Sequence, residues 1–451
     1  MQMEIYLKEI QNDLESFDIY TIFKDQKDII FLDSGMDFDN LGQYSFIGLN
    51  PFITLKGRNN ECYINGEKSK CSVFEKLRVL LKEYKCTNNT GIPFTGGCIG
   101  YISYDLGLEF ENIIVNSKED LILPHFYFVF YDNLIIFDNK NGKKYISACG
   151  ILDSHENSIT AIEKLIGKQK KLQYTDIKIN KTEFTSNFTR EEYIKSVSNV
   201  KEYIRSGDIY IANLTQRFTA TTDKSAYEIY SDLRRINPAP FASFMRFEDF
   251  DVISSSPERF IKIRNRQVET RPIKGTRPRG ENALEDEKNK NELLNSDKDK
   301  AELLMIVDLE RNDLSKVCKP HSVKVTELFQ LEEYSTVFHL VSTVVGELKD
   351  DADSAECLKA CFPGGSITGT PKIRAMEIID ELEGLKRSLY TGCIGYFAFD
   401  GNADFNIVIR TIIKKDNQVY FGVGGGITWD SNEEAEYDET LDKARALMRV
   451  I

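Results

Sequence analysis

The phrase Thr95-Gly-Gly-Cys-Ile-Gly-Tyr-Ile-Ser-Tyr-Asp105 returns far along the chain as Thr391-Gly-Cys-Ile-Gly-Tyr-Phe-Ala-Phe-Asp400. Each version is a short apolar run punctuated by glycine, the composition of a buried strand. The separation is far too long for a solenoid repeat. Two readings are open: two similar glycine-containing strands, or two related α/β halves that each contribute a sheet.

Working outward, residues 1–150 hold further short apolar runs that read as strands: Ile29-Ile-Phe-Leu, Tyr44-Ser-Phe-Ile-Gly-Leu, Phe126-Tyr-Phe-Val-Phe-Tyr and Leu134-Ile-Ile-Phe. One helix is predicted over Ser72–Tyr84. The polar, basic run 168–188 reads as a linker, giving an N-terminal region 1–150, a linker 151–188 and a C-terminal region 189–451. The last region opens with a capping box, Thr189-x-x-Glu192, followed by Ile194, Val197, Val200 and Ile204 at helical spacing, with Gly207 as stop. Strands are predicted at Tyr210–Phe218, Phe241–Phe247 and Asp251–Ser255. Helices should start near Ser296, at Thr370-Pro371 with threonine as N-cap, and at about Ala435.

The chain has 451 residues and a formal charge of −13, with 41% hydrophobic and 29% charged residues. That balance is globular, and its acidity speaks against a general nucleic-acid binder. No run approaches the roughly 20 apolar residues that span a bilayer. The N-terminus alternates apolar and charged residues and does not read as a signal peptide. Nine scattered cysteines without a C-x-x-C pair suggest reduced thiols in a cytoplasmic protein. Cys357 and Cys361 have no histidine pair beside them and read as packing thiols.

Three stretches combine glycine with charge. Ser254-Ser-Ser-Pro-Glu-Arg259 precedes Glu269-Thr-Arg-Pro-Ile-Lys-Gly-Thr276, which sets Lys274 on a turn after a strand. Ala301-Glu-Leu-Leu-Met-Ile-Val-Asp-Leu-Glu-Arg-Asn-Asp-Leu314 places Glu302 among apolar residues of a helix. Phe421-Gly-Val-Gly-Gly-Gly-Ile427 leads into an acidic helix on which Glu436, Glu439 and Lys443 share one face. Such spacing is common in exposed salt-bridged faces. Bare backbone amides beside carboxylates can also hold an anion and a hard cation together. The loop Pro363-Gly-Gly-Ser-Ile-Thr-Gly-Thr-Pro-Lys372 does not match the phosphate-binding pattern G-x-x-x-x-G-K-[S/T].

These motifs together resemble the chorismate-utilising enzymes, which include anthranilate synthase component I, aminodeoxychorismate synthase component I, and the isochorismate and salicylate synthases. Ser256-Pro-Glu-Arg, Arg271-Pro-Ile-Lys-Gly-Thr, Leu304-Met-Ile-Val-Asp-Leu-Glu-Arg-Asn-Asp-Leu, His339-Leu-Val-Ser, Gly365-Ser-Ile-Thr-Gly-Thr-Pro-Lys and Glu433-Glu-Ala-Glu-Tyr-Asp-Glu-Thr occur in family order. Leu32-Asp-Ser-Gly, Gln43-Tyr-Ser-Phe and Asn237-Pro-Ala-Pro-Phe carry the likeness toward the N-terminus. The turn Pro272-Ile-Lys-Gly-Thr276 is similar to the aminodeoxychorismate branch, where the lysine is a covalent nucleophile. The anthranilate branch usually has alanine there. The isochorismate and salicylate branches carry a water-activating lysine where this chain has Ile211.

The resemblance implies one large α/β (α+β) unit with two face-to-face β-sheets flanked by helices. It implies chorismate as substrate and Mg²⁺ as cofactor, with Glu302, Glu436 and Glu439 on the metal. It gives Glu258 the role of general acid and Lys274 that of nucleophile, activated by burial and neighbouring cations. Gly275, Thr276, His339, Tyr390, Arg410, Gly424, Gly425, Gly426 and Lys443 map to substrate contacts. Ammonia would come from a separate glutamine amidotransferase subunit. Ser34, Tyr44, Ser45, Phe46, Pro240, Phe241 and Ala242 map to a tryptophan pocket between the sheets. Anthranilate synthesis and a non-catalytic amino-acid-binding regulator on the same scaffold are the alternatives.

Overall fold

The computed structural model describes all residues except 1–2, 37–40, 60, 175, 178–181 and 334–336. Part of the linker proposed at 168–188, and the first two residues of the N-terminal run, lie outside the described residues. Among those described, 22 strands join into one antiparallel hydrogen-bonded network. Its spine is a long ribbon of two strands, Tyr44–Arg58 and Phe126–Asp138, paired from Tyr44↔Asp138 to Gly57↔Phe126.

The ribbon belongs to two sheets at once. At its Tyr44 end it is flanked by Ile30–Asp33 and Lys143–Ala148. From Ile30–Asp33 the first sheet continues through Phe241–Arg246, Asp251–Ser256, Thr411–Lys415, Gln418–Ile427 and Ile211–Thr221. At its Arg58 end the ribbon is flanked by Glu61–Ile64 and Gly97–Ile102. From there the second sheet runs through Cys393–Ala398, Ala403–Asn406, Arg259–Arg264, Gln267–Thr270 and Val337–Glu347.

Side-chain alternation explains the layering. Tyr127, Val129 and Tyr131 enter the inner cluster, while Phe126, Phe128 and Phe130 pack outward. Beyond Asp132-Asn133 the phase flips: Leu134 and Ile136 point inward and Ile135 and Phe137 outward. The flip follows directly on a bulge between Pro51 and Ile53, which pair with Tyr131 and Phe130, where the ribbon passes from one sheet to the other. Inside, Ile30, Phe46, Met245 and Val252 of the first sheet meet Ile99, Tyr101, Ile394 and Tyr396 of the second. Helices cover both outer faces, so the phenylalanine-rich run is buried on both sides. The expected two face-to-face sheets flanked by helices are present.

Local signals held where they were capping signals. Thr189 caps Arg190–Ser206 with a reciprocal box to Glu192, and Gly207 closes the helix in the left-handed region at φ 84°. Ser72 caps Val73–Glu83 in the same way. Three expectations change. The echoed phrases are neighbouring antiparallel strands of one sheet, with Gly100 opposite Gly395, and do not mark two halves. Pro371, not Thr370, is the N-cap of Lys372–Glu383, because Thr370 is taken up in a bridge to Ile211. The 151–188 stretch opens with an amphipathic helix, His155–Ile166, whose Ile159, Ile162 and Ile166 are buried in the outer cluster. All nine cysteines are unbridged, and only Cys71 is exposed.

Candidate active site

The site is assembled where the open end of the first sheet meets the second sheet and two helices. Gln418–Ile427 pairs with Ile211–Thr221 in the register Leu214↔Gly425 and Asn213↔Gly426. The glycines leave this strand bare. A Cβ built on Gly426 would lie 3.4 Å from Lys274 Nζ and 3.1 Å from Ile211 Cδ1. One built on Gly425 would lie 3.1 Å from Glu436 Oε2, 3.8 Å from Glu439 Oε1 and 3.9 Å from Lys443 Nζ. Lys274 and the acidic helix Glu433–Val450 therefore approach the same backbone from its two faces.

Lys274 is aimed by a bulge. Its strand Ile273–Pro278 pairs Lys274 with Leu340 and Thr276 with His339, leaving Gly275 outside the register. Gly275 has φ +76°, and any Cβ would sit 2.7 Å from Leu293 Cδ1. Only glycine serves there. Lys274 Nζ donates to Ser366 O at 3.3 Å, while Ser366 Oγ donates to Glu258 Oε1 at 2.7 Å. One residue thus ties both candidate catalytic groups together. The sequence assigns Ser366 no role. A serine in a glycine-rich loop carries no signal of its own.

Glu258 is 8% exposed. Burial pushes its carboxyl above the usual range, against the Ser366 hydrogen bond and the Lys274 and Lys443 charges. Glu302 and Glu436 are also buried, and desolvation raises both. Glu439 stands at the rim. There desolvation is outweighed by the 2.7 Å ion pair with Lys443 and by Lys274, and its carboxyl is held low. Glu258, Glu302 and Glu439 all feel the Lys274 charge, and the Lys443 charge acts beside it on Glu258 and Glu439.

Glu302, Glu436 and Glu439 are close enough to feel one another: Glu436 raises Glu302, and Glu439 raises Glu436. Among the described residues no three acidic, histidine or cysteine side chains converge into a ready-made metal site. The donor chemistry suits a hard cation, since mutually repelling carboxylates are what such an ion relieves.

His339 Nδ1 lies 2.9 Å from Thr276 Oγ1. Burial and the Arg410 charge bring its pKa down to about 4, so it is neutral at physiological pH. Arg410 donates to Asn237 Oδ1 at 3.3 Å, and burial lowers its pKa. Among the described residues no carboxylate pairs with it in an ion pair, leaving a partly buried cation suited to an anion. Lys443 donates to Gly424 O at 2.9 Å. Tyr390 packs over Gly422, where a Cβ would stand 2.3 Å from its ring. It lines a small polar cleft with Thr215, Glu383 and Arg387.

Lys372 is committed elsewhere. Its ammonium donates to Asp313 Oδ2, Cys361 O and Pro363 O, so the glycine loop before it offers no lysine to a phosphate. Between the sheets a cavity of about 110 Å³ is lined by Ser34, Tyr44, Phe46, Pro240, Phe241 and Ala242, with Arg259 and Asp404 on its far wall. Ser45 lies one layer behind, fully buried, with its hydroxyl accepting from Ser34 N.

Residues 29–449 match the family described as chorismate binding enzyme. The chain belongs to that family. Among chorismate-binding enzymes it is 40% identical to aminodeoxychorismate synthase component 1 of Escherichia coli (strain K12) over 426 residues, covering 93% of this chain and 92% of the relative. It is 36% identical to anthranilate synthase component 1 of Acetivibrio thermocellus over 468 residues, covering 98% and 94%. The crystal structure of anthranilate synthase component I from Streptococcus pneumoniae TIGR4 superposes with a TM-score of 0.83 at 30% identity, covering 98% of this chain and 99% of that one. The protein is a chorismate-utilising enzyme of the aminodeoxychorismate/anthranilate synthase type. No helix among the described residues is long and apolar enough to cross a membrane.

Proposed function

We infer that the protein converts chorismate and ammonia to 4-amino-4-deoxychorismate through a covalent bond to Lys274. The supporting observation is the shared anchor: Lys274 and buried Glu258 are both held by Ser366, beside a glycine-bare strand. Chorismate is a dianion, and Arg410, Lys443 and the Gly424–Gly426 backbone supply its counter-charges. Mg²⁺, held by Glu302 and Glu439 with Glu436 beside them, would neutralise the ring carboxylate.

Hydroxide is a poor leaving group. Glu258, whose hold on a proton is strengthened by burial, gives that proton to the C4 oxygen, which departs as water. Lys274, as the neutral amine left once its ammonium proton passes to a facing carboxylate, bonds through Nζ to C2 as the ring double bond shifts. Ammonia then bonds to C4, the double bond returns, the C2–Nζ bond breaks to release the amine, and the extra proton on the new C4 nitrogen returns to Glu258. Ile211 places a hydrocarbon beside Lys274 where a base would direct water to C2. Ammonia comes from a glutamine amidotransferase subunit, the partner that the component 1 relatives suggest. The cavity between the sheets is proposed as an amino-acid site, with tryptophan as its occupant.

Intact-mass measurement after acid quench tests this reading. Chorismate and Mg²⁺ without ammonia should add the ring less one water to the peptide holding Lys274, and ammonium should discharge it. Lys274→Ala cannot form the adduct, and Lys274→Arg should not restore it, because guanidinium stays protonated. Turnover without added mass would reduce Lys274 to a substrate-binding cation. A fluorescent aromatic product would favour anthranilate, the reading that the Acetivibrio relative keeps in play.

A further inference from the structure

A second acid, Glu310, is buried behind the turn that presents Glu258. A Cβ built on Gly365 would stand 3.6 Å from Glu310 Cγ, and the next residue, Ser366, holds Glu258. Glu310 lies in a closed space with Phe260, Ile261, Thr270, Asp313, Leu314 and Cys361. The charged groups facing it are Glu258, Asp313 on its own helix, and Lys372.

Among the described residues no cation is left over for a carboxylate there. Lys372, the cation nearest to hand, gives its three protons to Asp313 Oδ2, Cys361 O and Pro363 O. Asp313 is further served by Lys316 at 2.9 Å. Thr270 Oγ1 stands 2.8 Å from Phe260 O and 2.8 Å from Glu310 Oε2. A hydroxyl has one proton, and a carbonyl oxygen can only accept. Both contacts are full two-centre hydrogen bonds only if the hydroxyl donates to Phe260 O and Glu310 carries the second proton.

We propose that Glu310 is a positioning residue for Glu258: an un-ionised carboxylic acid that donates to Thr270 Oγ1 and braces the Gly365–Ser366 turn. The proposal rests on Glu258 acting as the acid of the inferred reaction. When Glu258 gives up its proton, a charge appears on a buried carboxyl. A neutral Glu310 lets that charge stand alone, whereas an ionised Glu310 would hold the proton back on Glu258. Glu310 exchanges no proton with substrate. Burial, with the Glu258 charge adding to it, pushes its own pKa up to about 8, consistent with a neutral acid under physiological conditions.

Infrared titration of the full chain tests the protonation directly and needs no turnover. With glutamate isotopically labelled, the wild type should show a carboxylic-acid C=O band at neutral pH that fades through about pH 8. Glu310→Gln should lose the component that fades through about pH 8 and keep the acid absorption of Glu258. In kinetics, Glu310→Leu, which cannot donate, should lower kcat about tenfold, the equivalent of 1.4 kcal/mol, with KM unchanged. Glu310→Gln should recover that loss and remove the step near pH 8 from the kcat profile, leaving the alkaline decline that belongs to Glu258. Thr270→Val removes the acceptor of the neutral acid and should move the step to lower pH. A missing acid band, a Gln profile with the wild-type step, or an upward shift in Thr270→Val overturns the proposal. If the band titrates as stated but chorismate is not aminated, it is the functional reading that has failed.

Discussion

Replacing Glu258 by glutamine removes the acid and leaves its socket intact. The amide keeps an oxygen where Oε1 accepts from Ser366 Oγ at 2.7 Å. What it lacks is the proton for the departing C4 oxygen. One general acid is worth a factor of about 10²–10⁴, or roughly 3–5 kcal/mol of barrier. The upper half of that range is expected, because a carboxyl 8% exposed leaves little room for water to substitute as acid. Stability should move the other way. Burial raises the Glu258 pKa, so the native state keeps a proton that the unfolded chain has already lost. The group's contribution is full below the ordinary carboxyl range and is lost as pH rises through the raised value. Glutamine has no such loss. The variant should therefore be at least as stable as wild type at mildly alkaline pH. Product mass under saturating ammonium gives kcat, and urea melts at acid and alkaline pH give stability. A folded variant within tenfold of wild-type kcat would refute the acid assignment. So would a wild-type profile with no decline on the alkaline side.

Glu302→Gln or Glu439→Gln should weaken Mg²⁺ binding and remove most turnover with the melting transition unchanged; calorimetric Mg²⁺ titration measures the first, and full activity in excess chelator would end the metal assignment. Ile211→Lys puts an amine beside Lys274 and should yield traces of a C2-hydroxylated product, detectable by mass. Lys372→Met leaves Asp313 buried with only Lys316 beside it, and should cost about 3–5 kcal/mol in urea melts, the usual effect of breaking a buried pair.

What the sequence made legible was mostly local. Capping boxes at Ser72 and Thr189 fix helix starts because side chain and backbone lie within a few residues of each other. The resemblance singles out Glu258, Lys274, Glu302, Glu439 and Arg410, and the fold brings Glu258, Lys274, Glu302 and Glu439 within reach of one another's charge. The echoed glycine phrases were less informative, since strand composition does not say which strands pair. Only the fold shows Gly100 against Gly395. The carboxylates around Lys274 and the role of Ser366 were equally hidden. Both depend on contacts between segments distant in the chain. Glu310 read as one more charged residue in a helix, because burial of a single acid leaves no trace in periodicity.

Glu258 and Arg259 are consecutive residues whose side chains serve different compartments. Glu258 faces Ser366 and Lys274. Arg259 faces the cavity between the sheets, where Nε and Nη2 grip both oxygens of Asp404 at 3.0 Å. Glu258 ends the turn that leads into the strand Arg259–Arg264, so one peptide unit separates the two compartments. For protein engineering, this makes position 259 a poor place to reshape the inter-sheet cavity. Any backbone rotation that accommodates a new side chain there swings the acid out of line as well. Tyr44 and Pro240, carried by the other sheet, allow that cavity to be redesigned while the proton donor stays where it is.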